Sequence, residues 1–376
     1  MKKIAAVLIC VCMLFVSVPS KAAEAFSVSA KAAVLIDADT KTVLYSKNAD
    51  TRLAMASTTK IMTALLALES DKRDEKFTVD STAIRVEGSS MGLTSGDVVS
   101  LKTLAVGMLM LSGNDAANAA AVYMSGSIEK FARLMNSRAK EIGGQNTNLV
   151  TPSGLDSQEH YSTAYDMALI GAEAIKNSDF AEICSKSKYT VCFGSEPQTR
   201  TFYNHNRLLK ELEGCIGIKT GFTKKAGRCL VSAVKRGGRT LVCVTLKAPH
   251  DWQDHKKLYE LGFSRYSKYE AQVEPIVINV VNSQTEKIAA EPLFTPELFV
   301  REGEKIKNYV AARQFEYAPV YKGQVVGSLV YEADGTEILS VPLVSSQSAY
   351  AKQQKFYKEP LTPFEKLLNW IRSLFR

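Results

Sequence analysis

The feature that most constrains the fold is a change of hydrophobic period along the chain. Two short β-like runs, 33–36 and 42–45, flank a turn rich in Asp and Thr, which predicts a β-hairpin. Helical periods then dominate, before short β-like runs return at 189–193, 216–219, 230–234 and 240–246. A block of helices between strands predicts an α+β domain. We expect one antiparallel sheet with strands from both ends of this region and helices packed on it.

Several residues predict where helices begin and end. Ser127 is a typical N-cap residue, and Gly143 lies where the helix that follows Ser127 should end. Thr163 and Asp166 have the spacing of a capping box, with a helix expected from about Met167. Residues 86–100 are rich in glycine and predict a loop.

Beyond residue 272 the helical periods give way to short alternating runs. These runs predict a separate, small all-β domain at 273–345, with Ala333-Asp334-Gly335-Thr336 as a hairpin turn. Residues 346–360 have the composition of a linker. The chain before residue 273 is then one larger domain, which we place at 26–272.

The first 25 residues have the pattern of a secretory signal peptide. Lys2 and Lys3 precede an apolar run at 4–18, and Ala23-Glu24-Ala25 is a small-x-small cleavage pattern. We therefore expect an exported protein at the extracytoplasmic face of the cell membrane. The alternative is an uncleaved N-terminal anchor.

The last segment, 361–376, is predicted to form an amphipathic helix. At about 100° per residue, one side carries Phe364, Leu367, Leu368, Ile371, Leu374 and Phe375, with Trp370 at the border. Pro363 suits the first helical position. A basic, Trp-bearing terminal helix is typical of a peripheral contact with a membrane surface. The alternative is a helix docked onto the rest of the protein.

Composition narrows the choice of ligands. The net charge of +8 suits an anionic membrane or cell wall, and no arginine-rich cluster with interleaved aromatics indicates a nucleic-acid partner. The four histidines match no zinc pattern, so we expect neither a metal nor another cofactor. Five cysteines follow the signal peptide without regular spacing, and Cys229 and Cys243 lie in apolar runs that predict buried thiols. A Cys184–Cys192 disulfide has no support beyond the presence of the two residues.

The segment Ala56-Ser57-Thr58-Thr59-Lys60 opens a long apolar helical run. Ser57 and Lys60 are three residues apart, so on a helix their side chains share a face. A serine becomes a nucleophile when a base takes its proton, and a lysine can be that base when burial or a nearby cation keeps it neutral. The pattern by itself is common and is often only a helix start.

Two further short motifs follow in order. Ser112-Gly113-Asn114 lies at a break between helical segments, and Lys219-Thr220-Gly221 ends a β-like run before Phe222. With Ser57-x-x-Lys60, they make up the motif set of penicillin-binding proteins and class A β-lactamases. The chain resembles the D-alanyl-D-alanine carboxypeptidases, a family of low-molecular-weight penicillin-binding proteins, over nearly its whole length. The resemblance implies a serine β-lactamase/transpeptidase-like catalytic domain followed by the small β domain and a terminal anchor helix.

The resemblance also implies a role for each motif residue. Ser57 would attack the carbonyl between two terminal D-alanines of a peptidoglycan stem peptide, Lys60 would take its proton, and Ser112 would pass a proton to the leaving amine. Asn114 would hold the substrate amide, Lys219 and Thr220 would bind the terminal carboxylate, and Gly221 would let the substrate backbone approach. The backbone N–H groups of Ser57 and Phe222 would form the oxyanion hole. We further expect Lys219 largely to set the charge of Lys60, although the identity of the base stays open.

Two departures from the family are visible. Phe222 stands where some members have histidine, so only its backbone role carries over. Some members bind the carboxylate with an arginine after the following hairpin, but residues 245–250 contain none, and Lys247 is the candidate substitute.

The alternatives are a D,D-endopeptidase or transpeptidase, a serine β-lactamase, and a catalytically silent wall-binding protein. Class A β-lactamases deacylate with a glutamate from the loop that corresponds to 152–160. That loop here has no Glu-x-x-x-Asn pattern, and Glu159 is its one glutamate. We therefore expect β-lactams to acylate Ser57 and remain attached as covalent inhibitors. A silent binding protein would not need the nucleophile.

Overall fold

The computed structural model describes residues 26–271, 273–352 and 361–374. The predicted signal peptide at 1–25 lies outside these residues, as does the 353–360 part of the predicted linker. The chain divides into two compact units between Glu260 and Leu261.

The first unit begins with two strands, continues with a mainly helical block and ends with further strands before a last helix. Its elements are β1 (Ala32–Asp37), β2 (Val43–Lys47), a 3-10 turn (Ala56–Thr59), α1 (Lys60–Glu69), β3 (Lys76–Thr78), β4 (Val98–Ser100), α2 (Leu101–Met110), α3 (Asn114–Ser125), α4 (Ile128–Ile142), α5 (Ala164–Ala174), α6 (Ser178–Ser185), β5 (Lys188–Phe193), β6 (Gln198–Tyr203), α7 (Leu208–Glu211), β7 (Cys215–Thr223), β8 (Gly227–Arg236) and β9 (Arg239–Leu246). Helix α8 (Asp251–Arg265) follows and continues past the division.

A five-stranded antiparallel sheet has the order β2-β1-β9-β8-β7. Strand β1 pairs with β9 in the register Val34↔Val244, so the prediction that both ends of the region supply one sheet is confirmed. Helix α5 packs on one face, where Gly171 lies close to Val231 and Val242. Helix α8 packs on the other face. This covering explains why β1 is buried along its whole length.

The capping signals are confirmed, with one difference. Ser127 accepts a hydrogen bond from the Lys130 N–H, and Gly143 ends α4 with a φ of 103°. Thr163 accepts from the Asp166 N–H, so α5 begins at Ala164, before the predicted start. The Asp166 carboxylate accepts from the Asn146 N–H and the Thr147 hydroxyl instead of closing a capping box.

Two assignments in the first unit differ from the prediction. The predicted loop 86–100 contains β4, which pairs with β3. The predicted strand at 189–193 belongs to a separate β5–β6 hairpin and not to the main sheet. The glycine-rich composition of 86–100 hid the short strand β4, whereas at 189–193 the β-like run predicts a strand but not its partner, because pairing is a long-range property.

The second unit is mainly β-structure. It contains β10 (Tyr266–Glu270), β11 (Ile276–Val281), β12 (Lys287–Pro292), β13 (Glu297–Arg301), β14 (Ile306–Ala312), β15 (Phe315–Tyr317), β16 (Val325–Ala333), β17 (Thr336–Ser345) and α9 (Pro363–Leu374). Six strands form one sheet in the order β14-β16-β17-β12-β11-β15. The predicted turn at Ala333–Thr336 joins β16 to β17. Strand β10 pairs with β13, which groups residues before 273 with this unit.

Helix α9 begins with a complete capping box. The Thr362 hydroxyl accepts from the Glu365 N–H, and the Glu365 carboxylate accepts from the Thr362 N–H at 2.8 Å. Its large apolar side chains, including Phe364 and Trp370, are exposed. None of the helices in the described ranges is long and apolar enough to cross a membrane.

Candidate active site

Ser57 lies in a tight turn at the start of α1. The turn requires Ala56 to adopt a φ of 50°, which is uncommon for a residue with a side chain. Two hydroxyls support the strained backbone: Thr58 donates to the Met55 carbonyl and Thr59 to the Ala56 carbonyl. The flanking residues of the turn are buried while Ser57 is partly exposed, so Ser57 is the residue that the turn presents to solvent.

Lys60 is fully buried directly below Ser57. Its Nζ lies 3.0 Å from Ser57 Oγ, 2.7 Å from Asn114 Oδ1 and 2.5 Å from the Ser153 carbonyl oxygen. A neutral amine has two N–H donors and one lone pair. It can donate to Asn114 and Ser153 and still accept the Ser57 proton.

The main cause of the lowered pKa of Lys60 differs from our expectation. Burial is the main effect that holds the pKa of Lys60 well below its usual value, and the charge of Lys219 is a second, smaller cause. Asp115 acts in the opposite direction and raises that pKa. The prediction that Lys219 largely sets the charge is therefore wrong in its emphasis.

Ser112 and Asn114 lie at the junction of α2 and α3, where Ser112 has a φ of 62°. Ser112 lines the same cavity as Ser57. Asn114 is 4% exposed and donates through Nδ2 to the Glu87 carbonyl at 2.6 Å. With its oxygen on Lys60, both ends of this amide are already bonded within the protein. The structure thus places Asn114 as a support for Lys60, and the role of its remaining Nδ2 hydrogen towards a substrate stays a prediction.

Lys219, Thr220 and Gly221 lie on β7, the edge strand of the main sheet. A Cβ on Gly221 would stand 3.0 Å from the Ser57 and Thr58 nitrogens. Glycine therefore lets the strand approach the turn that carries Ser57, residues 56–59, which we call the nucleophile turn. This close contact is with the protein itself, and the predicted approach of the substrate backbone to Gly221 stays a prediction. Lys219 is 2% exposed, its Nζ donates to the Thr220 carbonyl, and burial lowers its pKa to about 7.

A cavity of about 330 Å³ opens above Ser57. Its lining residues come from the nucleophile turn, the α2–α3 junction, strand β7 and the segment around α8: Ser57, Ser89, Ser112, His205, Thr220, Gly221, Phe222, Arg228, Asp251 and Trp252. Lys219 and Lys247 are absent from this lining. Lys247 instead packs against Gly227.

Sequence reasoning missed several residues of this region. Arg228, Asp251 and Trp252 line the cavity, and Arg228 pairs across the sheet with Phe222. Counting back from a hairpin turn at Lys224–Ala226 would have placed Arg228 opposite Phe222. Asp115, at the start of α3, accepts hydrogen bonds from Ser90 and from three consecutive backbone N–H groups, and so fixes the loop before β4.

His160 also contributes to the turn, although the four histidines appeared scattered in the sequence. Its Nδ1 accepts from the Val150 N–H at 3.0 Å, so Nε2 carries the hydrogen and donates to Thr59 Oγ1 at 2.8 Å. Burial lowers the pKa of His160 to about 4. The neutral ring therefore connects the 150–160 loop to the hydroxyl that holds Ala56.

The antiparallel sheet, its helical layer, and a serine hydroxyl beside a buried lysine define a serine acyl-transfer enzyme of the penicillin-recognising class. Comparison with protein families agrees. Residues 19–250 match the family described as D-alanyl-D-alanine carboxypeptidase, and residues 277–350 match the C-terminal domain of penicillin-binding protein 5. The chain belongs to the D-alanyl-D-alanine carboxypeptidase family.

Individual relatives cover most of the chain. D-alanyl-D-alanine carboxypeptidase DacF of Bacillus subtilis is 34% identical over 337 residues, which is 85% of each chain. DacC of Escherichia coli is 34% identical and covers 85% of this chain and 84% of its own. Among solved structures, penicillin-binding protein 5 of Haemophilus influenzae matches with a TM-score of 0.77 at 29% identity, covering 86% of this chain and 98% of its own.

Proposed function

We propose that this protein is a serine-type D-alanyl-D-alanine carboxypeptidase that removes the terminal D-alanine from peptidoglycan stem peptides. The observation that carries the proposal is the placement of the buried Lys60 amine 3.0 Å from Ser57 Oγ, with fixed acceptors for its two N–H groups. That placement aims the amine's lone pair at the hydroxyl proton. The family relationship supplies the substrate class.

The reaction begins with attack of Ser57 Oγ on the carbonyl carbon between the two D-alanines, while the Ser57 proton passes to Lys60. The oxyanion that forms is held by the backbone N–H groups of Ser57 and Phe222, and one such donor is typically worth about 3 kcal/mol. The C–N bond then breaks, and the departing amine takes a proton through Ser112. Water hydrolyses the ester and restores Ser57.

In this proposal, some of the motif residues around Ser57 and Lys60 have roles that differ from those implied by the family resemblance. Asn114 holds Lys60 in place, and Gly221 lets β7 lie against the nucleophile turn. Thr220, which lines the cavity, offers its hydroxyl to the substrate carboxylate. Lys219 acts mainly on the charge of Lys60, because its own amine is buried and engaged by the Thr220 carbonyl.

We expect β-lactams to acylate Ser57 and to be released slowly. Asp156 and Glu159, the two acids of the 152–160 loop, are exposed, while the buried face of that loop offers carbonyl oxygens to Lys60 and Thr63. A carbonyl cannot activate water as a glutamate does. Rapid turnover of nitrocefin with quick recovery of active enzyme would instead favour the β-lactamase alternative.

We also propose that the protein is exported and bound peripherally to the extracytoplasmic face of the membrane. The signal-peptide pattern at 1–25 supports export. The exposed apolar side chains of α9, together with Lys366 and Arg372, support contact with an anionic lipid surface.

The central test is mass spectrometry of a muramyl pentapeptide incubated with wild type and with Ser57→Ala. We expect loss of one D-alanine with wild type only, because the variant lacks the nucleophile. Ser195→Ala, which changes an exposed serine away from the cavity lining, is the matched control and should retain activity. Labelled penicillin should attach to wild type and to the control but not to Ser57→Ala.

One result would contradict the proposed mechanism, and another would favour an alternative activity. D-alanine release by Ser57→Ala would contradict the acyl-enzyme. Cleavage of cross-linked dimers, or transfer to an added amine, in preference to pentapeptide would favour the endopeptidase or transpeptidase alternative.

A further inference from the structure

The proposed substrate ends in a carboxylate, but the lysine of the Lys219-Thr220-Gly221 motif is poorly placed to bind it. Lys219 is 2% exposed and is not among the residues that line the cavity. Its Nζ is bonded to the Thr220 carbonyl at 2.7 Å, and burial lowers its pKa to about 7. Near neutral pH this amine is therefore charged only part of the time.

Arg228 is the permanently charged cation in the cavity lining. It sits on β8 directly opposite Phe222, and paired residues of antiparallel strands project from the same face of a sheet. Thr220, two residues before Phe222, projects from that face as well. The guanidinium of Arg228 and the hydroxyl of Thr220 thus belong to one wall of the cavity.

Two neighbours hold the guanidinium in place. Nε and Nη2 of Arg228 lie 2.9 and 2.8 Å from Asp251 Oδ1, and Asp251 is almost completely buried. The guanidinium carbon lies 5.4 Å from the centre of the Trp252 ring. The side chain of Arg228 nevertheless remains 41% exposed, and within the described part of the chain no partner is found for Nη1.

A long side chain that is fixed before binding loses little further freedom when a ligand arrives. Arginine also presents several N–H donors in a plane that matches a carboxylate, and such charged hydrogen bonds are stronger than neutral ones. An arginine needed only to neutralise buried Asp251 could do so without lining the cavity or lying over the Trp252 ring.

We propose that Arg228 binds the C-terminal carboxylate of the stem peptide, together with Thr220, and thereby makes the enzyme select free chain ends. This inference rests on the proposed carboxypeptidase activity. Arg228 is a specificity residue here: it takes no part in proton transfer, and Asp251 and Trp252 position it.

The test compares two peptides that differ only at the carboxylate. These are a diacetylated L-Lys-D-Ala-D-Ala and the same peptide with a C-terminal amide, each assayed for kcat/KM by mass spectrometry of the products. Wild type should prefer the acid. In Arg228→Gln we expect kcat/KM for the acid to fall about 10- to 100-fold, the range for loss of a charged hydrogen bond. The kcat/KM for the amide should change little, so the variant should lose most of the preference for the acid over the amide.

Two variants control the experiment. Lys224→Gln removes one positive charge from the exposed β7–β8 turn and should keep the wild-type ratio. Because Arg228→Gln leaves Asp251 without its ion pair, Arg228→Lys is measured too. It keeps the charge but loses the planar donors, and we expect an intermediate ratio.

The outcomes separate this inference from the function on which it rests. If wild type releases no D-alanine from either peptide, the proposed activity fails and the inference fails with it. If wild type is active and folded Arg228→Gln and Arg228→Lys keep the wild-type acid-to-amide ratio, Arg228 is only a structural partner of Asp251 and this inference alone is overturned.

Discussion

At the scale of single residues, the site depends on the burial of Lys60. Lys60 is 0% exposed, and this loss of contact with water favours the neutral amine in a way that an exposed lysine does not experience. Lys219 adds to this effect by repulsion between like charges. The two causes can be separated experimentally, because one of them can be removed by a single substitution.

We predict that Lys219→Met shifts the pH dependence of Ser57 acylation towards higher pH. The base works when it is neutral, so the acylation rate rises with pH through the pKa of Lys60. Removing a neighbouring positive charge raises that pKa. The rising limb of the pH–rate profile, in which the acylation rate increases with pH, therefore moves to higher pH. The limb should still lie below pH 10.5, the usual value for lysine, because burial remains. The measurement is the acylation rate constant of a fluorescent penicillin from about pH 5 to pH 10.

Lys224→Met serves as the control, since this exposed lysine carries the same charge outside the cavity lining. If the rise in acylation rate stays at the same pH in Lys219→Met, or moves to lower pH, the proposed effect of the Lys219 charge on the pKa of Lys60 is contradicted.

At the scale of structural elements, the 150–160 loop holds the nucleophile turn in place through hydrogen bonds. Its carbonyls accept from Lys60 and from Thr63, and His160 donates to Thr59. Gly154 comes so close to the turn that an added Cβ would overlap the Ala56 carbonyl oxygen. The strained φ of Ala56 is therefore maintained from outside the turn, as expected for strain at a functional site.

Gly154→Ala should destabilise the protein much more than Gly96→Ala. Both glycines have positive φ, 81° and 89°, so both substitutions incur a backbone cost of about 1 kcal/mol. Gly96 has open space around it, whereas Gly154 meets the Ala56 backbone. We expect an additional loss of about 2 kcal/mol or more for Gly154→Ala, together with slower acylation of Ser57. Urea unfolding of both variants measures the difference, and equal losses would show that the close contact is unimportant.

At the scale of the whole molecule, the chain has a catalytic unit, a β unit and an exposed terminal helix. The domain boundaries predicted at 26–272 and 273–345 stay predictions, although the pairing of β10 with β13 groups residues 261–271 with the β unit. Helix α9 leaves Phe364, Leu367 and Trp370 exposed along one side. Partial burial of each such side chain in lipid is worth roughly 1 kcal/mol.

Deletion of residues 361–376 should abolish binding to vesicles that contain anionic phospholipid without changing D-alanine release from a soluble peptide. The helix supplies apolar area and positive charge, but none of its residues lines the catalytic cavity. Vesicle co-sedimentation and the peptide assay measure the two properties separately. Trp370→Glu is a milder version of the same test and should weaken binding. Full vesicle binding by the deleted protein would contradict the proposed membrane contact.

Much of the fold could be predicted from sequence because it depends on local patterns. Short β-like runs predict β1, β8 and β9, and the caps at Ser127 and Thr163 mark helix starts through hydrogen bonds that span only three residues. Partners at long range were harder to predict. Residues 189–193 form a strand as expected, but their partner is β6 and not the main sheet.

The sequence by itself determined which residues carry the chemistry: the order and spacing of Ser57, Lys60 and the two later motifs indicate a serine acyl-transfer enzyme. The tertiary structure decided how those residues are used. It places Asn114 on Lys60, buries Lys219, brings Gly221 against the nucleophile turn and puts Arg228 in the cavity wall. The physical reason is that burial, and the charge state that follows from it, depends on neighbours distant in the chain. A motif specifies chemical groups, but only packing sets their surroundings.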